Sequence, residues 1–270
     1  MGDSIEKIIL IPKLIIEYLI KNGANFISSL PDYEYCTLND IIKYCIQEGI
    51  KFNRTDIDFQ MLVTEAISNA YDKKYFYHKN DERIKNKNIF INTFFNILNQ
   101  LGINEIYKKQ NVIVVGIGNG NEGRLIYDKI KYLTIIDIAS DSLKQAQSIF
   151  PHATAYKLNA SNLYLFDKSI YDLYISLRTY QSTYFDILKS LKEAKRILRT
   201  KGLIIISIPC GYFNNNELIS GMYNPHNGIL EKERPDTFIE KIIHDLKEID
   251  FKIIGLNKIP TEIFIYAEKN

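Results

Sequence analysis

Three glycines at alternate positions, Gly116, Gly118 and Gly120, follow directly on an apolar, β-branched run in residues 112–123 (VIVVGIGNGNEG). A run of this kind ending in glycines reads as a buried strand, a tight turn and the start of a helix. Glycine at such a turn lets backbone approach a ligand closely and adopt angles that a Cβ forbids. The following helix would aim unpaired N–H groups at the turn, which suits an acidic ligand group. The next apolar run, residues 132–136, ends at Asp137, and a carboxylate at a second strand end is placed to hold a nucleoside ribose. Turn and acid together point to a nucleoside cofactor. A dinucleotide fingerprint, G-x-G-x-x-G, would need glycine where the chain has Asn121, so these residues alone leave the kind of nucleoside open.

Such a turn needs a scaffold, and the chain after Gly102 supplies one by alternating strand and helix patterns, the mark of a parallel sheet covered on both faces. Phe185, Leu188, Leu191, Ala194, Ile197 and Leu198 form one helical stripe, and Phe238, Ile242, Ile243 and Leu246 form another. Residues 251–255 and 262–267 read as two strands with a link short enough for an antiparallel hairpin. Residues 209–235 read as one long insertion loop, rich in Gly, Asn and Tyr, leaving the end of the sheet where open α/β folds bind ligands. Upstream, residues 1–104 read as a helical attachment: 38–46 after a Thr37 cap, 58–67, and 90–101 ended by Gly102. Residues 74–83 form an aromatic and charged patch in which Tyr75, Tyr77 and His78 suit either a lid or packing against the core.

Composition narrows the function class. The 270 residues carry 34 Lys and Arg against 32 Asp and Glu, a formal net charge of +2, which gives no strong global field for nucleic acid. Cys36, Cys45 and Cys210 form no Cys-x-x-Cys pair, and His78, His152, His226 and His244 are scattered, so no metal site is expected. The odd cysteine count suits a reducing cytoplasm. The apolar stretch 8–20 is interrupted by Pro12, Lys13 and Glu17 and is too short to span a bilayer, so it reads as an amphipathic helix.

Residues 105–270 resemble the class I S-adenosylmethionine (SAM) methyltransferases. The Gly116-x-Gly118-x-Gly120 turn is similar to that family's first motif. Residues 137–146 resemble its second strand end and following helix, and 158–163 the segment placed against the adenine. Residues 171–176 resemble its fourth strand with the usual Asp, here Asp172, and 191–207 its helix, glycine turn and fifth strand. The resemblance implies an α/β, Rossmann-like, mostly parallel sheet with helices on both faces and an antiparallel last strand, carrying the N-terminal helical attachment. It implies SAM as cofactor, held by Gly116, Ile117, Gly118, Asn119, Gly120, Asp137, Ile138, Asn159, Ala160 and Ser176. Two positions depart from the family pattern. Val114 stands where an acid usually precedes the first glycine, and Asn159 stands where Asp or Glu usually ends the third strand, although Asn can still donate to and accept from adenine.

Methyl transfer from a sulfonium depends mainly on positioning, and the resemblance places the segment after the fourth strand beside the transferred methyl. There Arg178 suits clamping an acidic group, Tyr180 stacking on or bonding an acceptor, and Gln181 orienting it. Their plain structural readings are a paired Arg178 and a Tyr180 that caps the core. His226, in the insertion loop, is a base candidate near neutral pH. These features imply a methyltransferase acting on an O or N atom, with a small-molecule acceptor favoured. An RNA methyltransferase, the cap guanine-N7 kind included, is the first alternative. A non-catalytic binding or scaffold module, motivated by Val114 and Asn159, is the second.

Overall fold

The computed structural model describes residues 87–118, 120, 123–181, 187–214, 217–223 and 230–270. In chain order the main elements are α1 (Lys87–Gln100), β1 (Asn111–Val115), α2 (Arg124–Tyr127), β2 (Tyr132–Asp137), α3 (Ser140–Ile149), β3 (Thr154–Lys157) and β4 (Tyr171–Leu177). They continue with α4 (Ile187–Ile197), β5 (Leu198–Pro209), β6 (Gly211–Asn214), β7 (Glu217–Ser220), β8 (Met222–Tyr223), β9 (Leu230–Glu231), α5 (Arg234–Glu248), β10 (Phe251–Ile259) and β11 (Glu262–Lys269).

Seven strands form one sheet in the order β10–β11–β5–β4–β1–β2–β3. The five from β5 to β3 run parallel, β11 pairs antiparallel with β5, and β10 returns antiparallel on β11. This is the mostly parallel Rossmann-like sheet with the antiparallel ending that the residue patterns predict.

β1 shows why the sheet is buried on both faces. Its side chains leave alternate faces, and Val112 to Val115 are at most 1% exposed. Val112 and Val114 enter a core built with Phe94 and Ile97 of α1, Ile126 of α2 and Ala146 of α3. Ile113 and Val115 enter a second core with Leu191 and Ala194 of α4 and Ile242 and Leu246 of α5. A continuous aliphatic strand is therefore required, not an alternating one.

Helix α1 belongs to the first core. Its end is a Schellman motif: Gly102, at φ 69°, donates its N–H to Asn99 O (3.0 Å), and Ile103 donates to Leu98 O (3.0 Å). The Tyr266 hydroxyl of β11 donates to Gln100 Oε1 at 2.6 Å. The sheet domain thus extends upstream of residue 105, at least to Lys87. The remainder of the expected attachment, with Tyr75, Tyr77 and His78, lies outside the described residues.

The insertion 209–235 is not one loop. It contains the antiparallel β6–β7 hairpin, with Gly211 opposite Ser220, together with the short β8 and β9. His226 lies outside the described residues. The expected glycine turn before the fifth strand is a break in register within β5. Tyr171 pairs with Leu198 but Leu173 with Leu203, and Lys201 takes a left-handed φ of 64°. No helix among the described residues is long and apolar enough to cross a membrane.

Two polar clamps organise the amino ends of the strands and the loop after β3. Asp172 accepts from the Asn111 N–H (2.8 Å) and from Arg199 (2.7 Å), joining β1, β4 and β5. On α4, Glu193 accepts from the Leu163 N–H (2.7 Å) while Arg196 donates to Leu163 O and Phe166 O. Hydrogen bonding from Arg196 leads the effects that hold the Glu193 carboxyl below its ordinary value of 4.5. A depressed folded value means that this stabilisation is full above 4.5 and lost as pH falls through the folded value. Urea midpoints of the wild type and Glu193→Gln should therefore differ most at neutral pH and converge in acid. An unchanged gap down to strongly acid pH would refute the role assigned to this clamp.

Candidate functional site

The sheet order reverses between β1 and β4, since the chain crosses outward from this point in both directions. The crevice at the carboxyl ends of two such strands is where open α/β sheets bind ligands, and the glycine turn leaves β1 there. Gly116 and Ile117 both donate to Ile136 O, at 2.8 and 3.1 Å. Gly116 has φ 74°, and a Cβ built on it would lie 2.1 Å from Thr179 Oγ1. Only glycine combines that angle with that contact. Gly120, at φ 81°, leaves just enough space for Phe150 and Ala146 of the first core, which would lie 3.0 and 3.1 Å from a Cβ. Helix α2, by contrast, has four residues and no side-chain cap. One turn aligns few peptide dipoles, so the expected helix-terminus contribution is small.

Asp137 braces this turn. At 7% exposure, its Oδ2 accepts from the Gly118 N–H (2.7 Å) and its Oδ1 from the Ala139 N–H (2.9 Å). Holding the loop is the task that the family pattern gives to an acid two residues before the first glycine. Val114 at that position is 1% exposed in the first core, where a carboxylate would be buried among aliphatic side chains.

The other expected cofactor residues lie along the same edge. Leu158 donates its N–H to Asp137 O (3.1 Å), which places Asn159 and Ala160 directly beyond it. Asn159 Oδ1 accepts from the Ser161 N–H at 2.9 Å, a local turn that presents its NH2 group outward from that bond. Ile117 is buried at 9% exposure and Ile138 is half-buried, while Asn119 lies outside the described residues. Ser176 sits deeper than expected. It is fully buried, and its hydroxyl donates to Val115 O at 2.9 Å, linking β4 to β1 from within the sheet.

Beyond β4, Arg178 adopts a left-handed φ of 56°, a conformation that costs of order 1 kcal/mol in a residue other than glycine. Its N–H donates to Ser207 O, its Nε donates to Glu262 Oε2 at 2.7 Å, and its guanidinium lies 5.7 Å from the Phe90 ring centroid. Glu262 is fully buried, so Arg178 is a paired arginine that ties β4 to β11. Tyr180 is also fully buried, its hydroxyl 3.1 Å from that of Tyr174 and 3.0 Å from Ser190 Oγ. Burial, then the neighbouring Tyr174, pushes its pKa well above the ordinary tyrosine value, so it holds its proton at neutral pH. The expected acceptor contact thus sits in the core, where its hydroxyl is taken up by side chains of β4 and α4.

Gln181 remains at the site. Its amide donates to Arg178 O, while its Oε1 is buried with no hydrogen-bond partner among the described residues. The Ser142 hydroxyl, in the first turn of α3 after Asp137, is buried and likewise has no partner among the described residues. Buried orphan polar atoms are uncommon, and two of them beside the turn fit a polar ligand. Ser142, Thr179 and Glu262 lie within segments that the sequence assigns to a helix start, the stretch after the fourth strand and the last strand, but their contacts are not legible there. Each matters through a contact across the fold.

Gly116→Ala should lower stability by about 2–4 kcal/mol, combining overpacking on Thr179 with a left-handed alanine. Adding Thr179→Gly should return the overpacking part only. Urea unfolding of the two variants checks this, and a neutral Gly116→Ala would contradict the packing described.

Residues 113–206 match a family model described as a methyltransferase domain. No curated protein matches the chain. Among solved structures, a SAM-dependent methyltransferase from Aquifex aeolicus aligns with a TM-score of 0.53 at 12% identity, covering 74% of this chain and 98% of that one. A geranyl diphosphate C-methyltransferase from Streptomyces coelicolor A3(2) aligns at 0.44 and 11% identity, covering 60% and 70%. A SAM-dependent methyltransferase from Methanosarcina mazei aligns at 0.42 and 19% identity, covering 59% and 92%. The Aquifex likeness is one of fold. Residues 113–206, which match the methyltransferase-domain model, span the glycine turn at the switch point and the parallel strands on either side of it.

Proposed function

We propose that this protein transfers the methyl group of SAM to an oxygen or nitrogen atom of a small-molecule acceptor. The observation that carries the reading is the Asp137 carboxylate, which fixes the glycine turn at the switch point from the strand end where open α/β folds hold a ribose. When bound, the cofactor supplies an electrophilic methyl carbon on a sulfonium, a good leaving group. Gly116, Ile117, Gly118, Asn119 and Gly120 form its cradle, Asp137 and Ile138 take the ribose side, and Asn159 and Ala160 take the adenine. Ser176 supports the cradle by tying β4 to Val115.

The chain's part in the chemistry is positioning. Gln181 Oε1 is a buried acceptor available to a donor group of cofactor or substrate. Arg178, locked to Glu262, forms a rigid wall beside it. Tyr180 keeps its proton, so it orients β4 and α4 and is no general base. Catalysis then rests on holding the acceptor in line with the methyl group. His226 is retained as the base candidate for acceptors that must lose a proton. A small acceptor is favoured over RNA by the balanced charge. A basic cluster of Lys168, Lys192, Lys195 and Lys269 lies at the amino ends of the strands, away from the glycine turn.

Calorimetric titration with SAM and with S-adenosylhomocysteine should give dissociation constants of about micromolar order. Asp137→Asn should weaken both by about tenfold or more, through loss of a charged acceptor at the ribose. Absence of binding to well-folded wild-type protein would sink the enzyme reading in favour of a scaffold module. Strong, salt-sensitive RNA binding would favour an RNA acceptor instead.

A further inference from the structure

A cleft of about 360 Å³ opens where Cys210, just past β5, meets the β6–β7 hairpin, the start of α5 and the β10–β11 turn. This is within the size range of small-molecule sites. Its apolar lining includes Leu218, Ile259 and Pro260, with Cys210 buried against Ile259 O at its base. The cleft adjoins the wall already described. Cys210 follows Pro209, which is in register with Glu262, the partner of Arg178, and the Cys210 N–H donates to Thr261 O at 3.0 Å.

The charged lining is asymmetric. Lys258 lies 3.5 Å from Asp236, with both side chains more than half exposed (58% and 60%), so this pair largely cancels and is screened by solvent. Lys232 is exposed and has no ion-pair partner among the described residues. The cleft therefore joins an apolar base to one uncompensated ammonium at its mouth. An alcohol would leave that ammonium unanswered, an amine would meet it as a like charge, and a dianion would exceed the single charge available.

We infer that this cleft receives the methyl acceptor, and that the acceptor is a small carboxylic acid with an apolar body. Its carboxylate sits at Lys232 and its apolar part over Leu218, Ile259 and Pro260. This rests on the methyltransferase reading above and adds the chemical class of its substrate. The carboxylate serves as a handle at Lys232, leaving the apolar body to the rest of the cleft.

The test titrates three probes of one shape, 4-phenylbutyrate, 4-phenylbutanol and 4-phenylbutylamine, into the full-length protein saturated with S-adenosylhomocysteine. The acid should bind about tenfold or more tightly than the alcohol, and its affinity should fall as salt rises. Lys232→Met should bring the acid down to the level of the alcohol and leave the alcohol unchanged. Leu218→Glu, at an exposed hairpin position, should weaken acid and alcohol together. Equal affinity for acid and alcohol, or an acid affinity indifferent to Lys232→Met, would overturn the inference. Should S-adenosylhomocysteine fail to bind while the acid still binds through Lys232, the cleft stands and the methyltransferase reading fails. Cofactor binding without acid preference removes the substrate assignment alone.

Discussion

A buried carboxylate must have its lone pairs satisfied, and at Asp137 that requirement organises the site. Its two oxygens take the N–H groups of Gly118 and Ala139, one from the turn after β1 and one from its own strand end. The turn is thereby tied to β2, the carboxyl ends of the two strands are held level, and the crevice at the switch point keeps its shape. Thr179 packs on Gly116 from the β4 side, so the turn is gripped between both neighbours of β1. Little else could place three left-handed glycines reproducibly, since glycine alone has the largest conformational freedom to lose.

Arg178 and Glu262 perform the corresponding task on the other side of β4. Their pair joins the parallel half of the sheet to the antiparallel β10–β11 hairpin. A buried pair of this kind adds little net stability, because desolvation offsets much of the attraction. Its effect is specificity: a left-handed arginine and a buried glutamate define one arrangement of the strand ends.

Much of the fold was legible in the residue patterns. The aliphatic run of β1, the helical stripes of α4 and α5, the Gly102 stop of α1 and the terminal hairpin each follow from local chemistry and periodicity. The long insertion was less legible. Its asparagines and glycines read as loop, yet part of it pairs as the β6–β7 hairpin, because strand pairing is decided by a partner and not by composition. The glycine turn and Asp137 could be read because left-handed backbone packed on Thr179 demands glycine and the turn's N–H demands an acceptor.

Sequence by itself determined the α/β alternation, the positions of turn and acid, and the chemistry of a nucleoside cofactor, because these depend on spacing along the chain. Tertiary structure decided which polar side chains face the crevice and which are used in holding it. Arg178 pairs with Glu262, 84 residues away, Tyr180 spends its hydroxyl on Tyr174 and Ser190, and Ser176 gives its own to Val115. The missing acid at Val114 is answered by Asp137, 19 residues beyond the glycine that it holds. The physical reason is the same in each case. A polar group's role is set by whether burial forces it to find a partner inside the protein, and the partner is chosen by the folded sheet.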